Sequence, residues 1–242
     1  MTLGDLIDVF RARAFDTKEP YLWSDAEVRE FADDAENEAA ERARLIKDST
    51  TTAICQVAVV ANTAAYALDS RVISVERAKL DSQSVPLVLS STQAMDQNMG
   101  VRPRDWRASS SNWVGGIAGG WEARQGTPNT AVLDAEGPGW KLMLSPIPTK
   151  ADTLRLQVYR LPLVALSTSE ANTPEIPLRL HIRLVDWMVY RAYSKQDAET
   201  FDREKAAQAE ATFTSAFGQR IDANARRKQE DRTSSVVQFR EF

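Results

Sequence analysis

Helical periodicity at both ends of the chain, with short β-branched segments between them, limits the fold more than any single motif. The first helical face is Leu3, Leu6, Ile7, Phe10 and Ala14, and Thr2 with Asp5 three residues on has the form of an N-terminal cap. A loop containing Pro20 leads to a second helix with a stronger start signal. Ser24 and Glu27 have capping-box spacing, and Trp23 and Val28 occupy the two positions of a hydrophobic staple. Asp25 and Glu27 also suit the positive end of the helix dipole. The apolar face continues through Phe31, Ala35, Ala39 and Leu45–Ile46, which predicts a helix to about Lys47. Its other face is acidic: Asp33, Asp34, Glu36, Glu38 and Glu41.

Helix returns near Pro177, a residue suited to the first helical position. Leu178, Ile182, Leu184, Val185, Met188, Val189 and Ala192 form a wide apolar stripe, broadened by Trp187 and Tyr190, so this helix should be central and buried. Ser194 and Asp197 form a cap-like pair before a last helix expected over 198–226. It carries Phe201, Ala209, Phe213, Phe217 and Ile221 and would reach roughly 40 Å.

The middle reads differently. After Ser49-Thr50-Thr51-Thr52, β-branched residues rise, and strands are predicted at Arg71–Leu80, Val85–Leu89, Ala131–Leu133, Trp140–Leu144 and Leu154–Arg160. In the last, Leu154, Leu156 and Val158 alternate with Arg155, Gln157 and Tyr159, the pattern of a half-buried strand. Residues 91–98 suit a short helix. The fold class is therefore α+β: a helical bundle from residues 1–50 and 174–226, with a small β-sandwich or barrel inserted over 51–173. A Gly/Ser-rich loop at 108–126 carries Trp113 and Trp121. These tryptophans either pack on the β domain or contact a neighbouring subunit or the tail. Residues 227–242 lack helical period and read as an extended tail.

The residues offer little for catalysis. His181 is the single histidine and lies among apolar residues at helical spacing, which reads as a core or interface position. Cys55 is the single cysteine, so neither an intrachain disulfide nor a cysteine-based zinc site can form. Gly115-Gly116-Ile117-Ala118-Gly119-Gly120 lacks the Lys-Ser/Thr of a phosphate loop. No metal or other cofactor site and no enzymatic activity are expected. The net charge of −4 weighs against a dedicated nucleic-acid binder but does not exclude a protein that merely lets DNA pass, since an acidic or neutral lining repels phosphate. No apolar run approaches the ~18–20 residues of a membrane span, and Met1-Thr2-Leu3-Gly4-Asp5 is not a signal-peptide start. A product of the cytoplasm is expected.

An ordered series of motifs resembles the head-to-tail adaptors of short-tailed phages, the tail tubular protein A type. Pro20-Tyr21-Leu22-Trp23-Ser24-Asp25 is followed by the acidic helix ending Ala43-Arg44-Leu45-Ile46. Next come Tyr66-Ala67-Leu68, Arg71-Val72-Ile73-Ser74-Val75, Met95-Asp96 and Asp105-Trp106-Arg107. Leu142-Met143-Leu144-Ser145-Pro146-Ile147-Pro148, Val158-Tyr159-Arg160-Leu161-Pro162 and Glu175-Ile176-Pro177 before His181 complete the series. The resemblance runs from about Leu3 to Phe213; the Gly/Ser loop is longer than the family pattern, and the tail lies outside it. It implies a virion protein at the portal–tail junction. It further implies a ring, twelve-membered by analogy, with a portal above, a tail nozzle protein below and DNA crossing the central channel without sequence-specific contacts.

On that reading the joining surfaces can be named. The tail would bind the portal through Arg226, Arg227, Lys228 and Arg232 and the apolar Val236, Val237, Phe239 and Phe242. Subunit or tail contacts would use Trp113, Trp121, Asp34, Glu38 and Glu41, the acids facing Arg179, Arg183, Arg191 or Arg203 of a neighbour. Surface charges that only face water are the other reading of those acids. Rival functions are a connector of a long-tailed particle, a carbohydrate-binding module using Trp113, Trp121 and Trp140, and a hydrolase using scattered carboxylates.

Overall fold

A computed structural model describes residues 1–99, 120–136, 139–196 and 200–222. In chain order its elements are α1 (Leu3–Ala14), α2 (Asp25–Ala43), β1 (Lys47–Asp48), α3 (Thr52–Cys55), β2 (Gln56–Val59), β3 (Ala65–Ala67), β4 (Val72–Leu80) and β5 (Val88–Ser91). They continue with α4 (Thr92–Met99), β6 (Gln125–Gly126), β7 (Thr130–Glu136), β8 (Gly139–Ser145), β9 (Ile147–Pro148), β10 (Asp152–Arg160), α5 (His181–Ser194) and α6 (Arg203–Phe217). The protein is thus α+β, and its chain divides into two compact units.

The first unit takes Met1–Lys47 and Tyr159–Ile221, so both ends of the described chain contribute to it. Both capping boxes form: Thr2 and Asp5 cap α1 reciprocally, and Ser24 and Glu27 cap α2. Trp23 and Val28, the staple pair, are fully buried. One apolar core joins Leu3, Leu6 and Phe10 of α1, the alanines Ala32, Ala35 and Ala39 of α2, Leu184, Val185 and Met188 of α5, and Phe213 of α6. The small residues of α2 leave room for the larger ones of α5, an alternation that fills a core without voids. Each fully buried Leu or Phe contributes roughly 1.5–3 kcal/mol. Trp23 sits edge-on between Phe10, 5.7 Å away, and Tyr193, 5.3 Å away.

Three helix limits differ from the sequence expectation. α2 stops at Ala43 because Arg44 turns left-handed, at φ 48°. Ile46 is then buried off the helix, and its carbonyl accepts the Arg160 N–H at 3.0 Å. α5 starts at His181, after a 3-10 turn at Leu178–Leu180, so Pro177 precedes the turn and does not open the helix. Leu178 accordingly leaves the apolar stripe and is 69% exposed. α6 starts at Arg203, capped by Asp202, and ends at Phe217, about 22 Å of helix. Ser194 belongs to the end of α5, and Asp197 lies outside the described residues.

The second unit is built on Asp48–Val158. In one sheet β10 pairs with β1, β2 and β4, and its pairing with β2 is antiparallel with Leu154 opposite Val57. Leu154, Leu156 and Val158 are buried and Arg155 is exposed, as the alternation requires. A second sheet has the order β3-β8-β7-β5. There β7 and β8 form an antiparallel pair with Leu133 opposite Leu142, while β5 runs parallel to β7. The segment expected as strand at Val85–Leu89 is strand only from Val88, after Leu87 donates its N–H to the Ala78 carbonyl oxygen at 2.8 Å, and Val85 is exposed.

Candidate functional site

His181 is a core residue: it is buried, and its Nε2 lies 2.9 Å from the Ile176 carbonyl oxygen. Cys55 is buried as well. Among the described residues no cluster of His, Cys, Asp or Glu is arranged to hold a metal ion, and no helix is long and apolar enough to cross a membrane. The features that remain are surfaces and the polar contacts that shape them.

The acidic face of α2 is divided among three neighbours. Asp33 accepts the Ser167 N–H at 3.0 Å, and Glu36 accepts the Glu175 N–H at 2.6 Å. Together they hold the connecting segment that leads from β10 to α5. Glu36 is only 2% exposed. Burial pushes its carboxyl up to about 7, helped by the nearby charges of Glu175 and Asp33 and opposed by the backbone N–H groups it accepts. Glu175 is itself held by Arg160, 2.7 Å away, and accepts the Leu163 N–H at 2.6 Å. Asp34 reaches Arg191 of α5 at 2.9 Å within the same chain. Glu38 pairs with Arg42 at 2.7 Å and with Arg220 at 3.7 Å. Glu41 is partly buried. Of the arginines expected to face these acids, Arg191 therefore has an intrachain partner, Arg183 lies 3.9 Å from Asp186, and Arg179 and Arg203 are exposed.

A second polar centre shapes the α1–α2 loop. Arg11 is buried and donates to Asp16 at 2.7 Å, Asp25 at 2.5 Å and the Trp23 carbonyl oxygen at 3.3 Å. Its guanidinium also covers the Tyr21 ring at 3.6 Å. Asp16, also buried, accepts the Leu22 N–H at 2.9 Å. The loop closes inward on these charges and on Trp23 and turns two apolar side chains out: Phe15 is 84% exposed at a left-handed φ of 58°, and Leu22 is half exposed. Arg13 meets the buried Asp186 at 2.5 Å; burial raises that carboxyl, against the pull of Arg13 and Arg183.

The described tryptophans of the second unit, Trp121 and Trp140, are packing residues. Trp121 is buried with Met95 and Val132, and its Nε1 donates to Asp96 at 2.8 Å. Trp140 is partly buried and donates to the Ile73 carbonyl oxygen at 3.1 Å. A buried Trp121 ring is not available to stack on a sugar. Trp113 and the tail residues Arg226, Arg227, Lys228, Arg232, Val236, Val237, Phe239 and Phe242 lie outside the described residues. Sequence reasoning missed Arg11, Asp16, Arg42, Arg160 and Glu175 as organising residues. The available signal was weak: a basic or acidic side chain beside an apolar stripe looks the same whether solvated or buried.

The family model described as SU10 adaptor protein matches residues 1–239. The match spans nearly the whole chain and agrees with the phage head-to-tail adaptor resemblance carried by the ordered motifs. No curated protein matches the chain.

Proposed function

The chain belongs to the SU10 adaptor protein family, and from that premise we propose that it is a structural, non-enzymatic head-to-tail adaptor. Copies form a ring, taken as twelve, seated between the portal and the tail nozzle protein. DNA crosses the channel without being read, and the negative net charge limits sticking to phosphate. The family match over residues 1–239 carries this reading.

The described contacts support a rigid building block. Ion pairs tie residues distant in sequence within the helical unit: Arg13 with Asp186, Arg29 with Glu170, Asp34 with Arg191 and Glu27 with Lys195. The exposed pairs among them add little stability each, but together the four tie α1 and α2 to α5, its C-terminal end and the connecting segment. The block is assigned as a helical bundle from both chain ends with an inserted β-sandwich or barrel, and head-to-tail contact between such blocks closes a ring when the rotation closes. The lateral contact is placed on the acidic face of α2, at Asp34, half-exposed beside Arg191, and at Glu41, and on the loop carrying Trp113; Glu38, expected there as well, is taken up within the chain by Arg42 and Arg220. The tail, residues 227–242, is assigned to the portal. Basic residues at its start and Val236, Val237, Phe239 and Phe242 near its end suit an extended segment that gains contacts as it orders.

Mass measurement of the purified protein, alone and with purified portal, tests the reading. A ring assembling on portal is expected. A persistent monomer that never joins portal overturns it.

A further inference from the structure

Arg42 sits where α2, α5 and α6 meet, with a side chain only 5% exposed. Its Nε donates to Glu38 Oε1 at 2.7 Å. Its Nη1 donates to Thr214 Oγ1 at 3.2 Å and to the Gly218 carbonyl oxygen at 3.4 Å. The guanidinium lies 4.8 Å from the centre of the Trp187 ring and 5.2 Å from that of Phe213. The last carbonyls of a helix have no intrahelical partners, and a cation beside them is favoured by the dipole. α6 has no basic residue in its own last turn. Arg42 supplies that cation from another helix.

The turn at this point is specific. Gly218 adopts φ +86°, which L side chains rarely do, and its N–H closes the helix on the Thr214 carbonyl oxygen at 2.8 Å. Arg220 then returns toward Glu38 at 3.7 Å. Glu38 and Arg42 thus grip the chain on both sides of Gln219. From Asp222 the sequence continues for 20 residues to Phe242.

We propose that Glu38 and Arg42 are the anchor that sets where, and in which direction, the C-terminal segment leaves the helical unit, which makes Arg42 a positioning residue for the docking of that segment on the portal. The proposal rests on the reading that residues 227–242 reach the portal. A tethered segment binds with an effective concentration set by where its root is held, and releasing the root dilutes it over a larger volume. Lysine cannot replace arginine here, because three acceptors and two ring faces are met by one planar fork.

The experiment measures portal affinity for four proteins: the full chain as wild type and as Arg42→Lys, and each of these truncated after Arg226. Glu38→Gln serves as the second variant if Arg42→Lys fails to fold by circular dichroism. Expected is about tenfold weaker binding for Arg42→Lys, no further loss when it is added to the truncated chain, and equal competition of wild type and variant by a free peptide of residues 227–242. Wild-type affinity in the truncated chain would remove the tail reading itself. A truncation that loses binding together with an Arg42→Lys or Glu38→Gln chain that binds like wild type overturns the anchor alone. An Arg42→Lys loss that persists undiminished in the truncated chain also overturns it, since the effect then does not pass through the tail.

Discussion

Glu36 of α2 and Glu175 of the connecting segment meet through a backbone hydrogen bond, the Glu175 N–H donating to Glu36 Oε1 at 2.6 Å. The Glu36 carboxyl is thereby held in a buried place, near the exposed carboxylate of Glu175, and burial pushes it up to about 7 from an ordinary 4.5. The folded state binds the Glu36 proton more tightly than the unfolded chain does. Its contribution to stability is thus fully present below about 4.5 and is lost as pH rises through about 7.

Glu36→Gln removes that titration while keeping an oxygen acceptor for the Glu175 N–H. The variant and wild type should melt alike near pH 4, and the variant should gain a growing advantage up to about pH 7 that then holds to pH 8. Thermal melts across this range check it. An advantage that does not change with pH would falsify the buried-carboxyl account.

Trp23 is fully buried, and its Nε1 has no hydrogen-bond partner among the described residues. Its value is therefore packing alone. Trp23→Ala should cost about 3–5 kcal/mol, and Trp23→Phe should cost distinctly less, because no bond is broken. Denaturant unfolding of both variants gives the comparison; equal costs would show that the indole matters beyond its shape.

Trp121 presents the opposite case. Its Nε1 donates to Asp96 at 2.8 Å. Trp121→Phe should lose about 1 kcal/mol from that bond in addition to the volume change. Asp96→Ala in the same background should then add nothing through this contact. A double-mutant cycle on unfolding free energies measures the coupling.

Asp16→Ala would leave Arg11 buried with only Asp25 and the Trp23 carbonyl oxygen as partners. Removing one member of a buried pair costs about 3–5 kcal/mol. The loop display of Phe15 and Leu22 should be lost before the helices melt. Proteolysis within 15–22 of the variant, under conditions that leave wild type intact, is the expected outcome, and equal resistance would count against the Arg11–Asp16 centre as the organiser of the loop.

Much of the helical unit was legible because its signals are local. Thr2 with Asp5, Ser24 with Glu27, and Trp23 with Val28 act over three to five residues, so spacing alone determined both helix starts. The alternation of Leu154, Leu156 and Val158 likewise follows from the two-residue period of a strand. The family resemblance was legible for another reason, the order of many short motifs along the chain. What the sequence could not decide depends on partners far away in the chain. α2 ends at Ala43, and Ile46 then pairs with Arg160; Glu36 is buried by the segment around Glu175; Arg42 caps a helix that begins beyond residue 200. A helical face of acids reads as solvated because charge is costly to bury, and local pattern cannot see the N–H groups and arginines that a distant segment brings. Only the packed tertiary structure brings those groups together, and so only it decides which acids face water and which hold the helices in place.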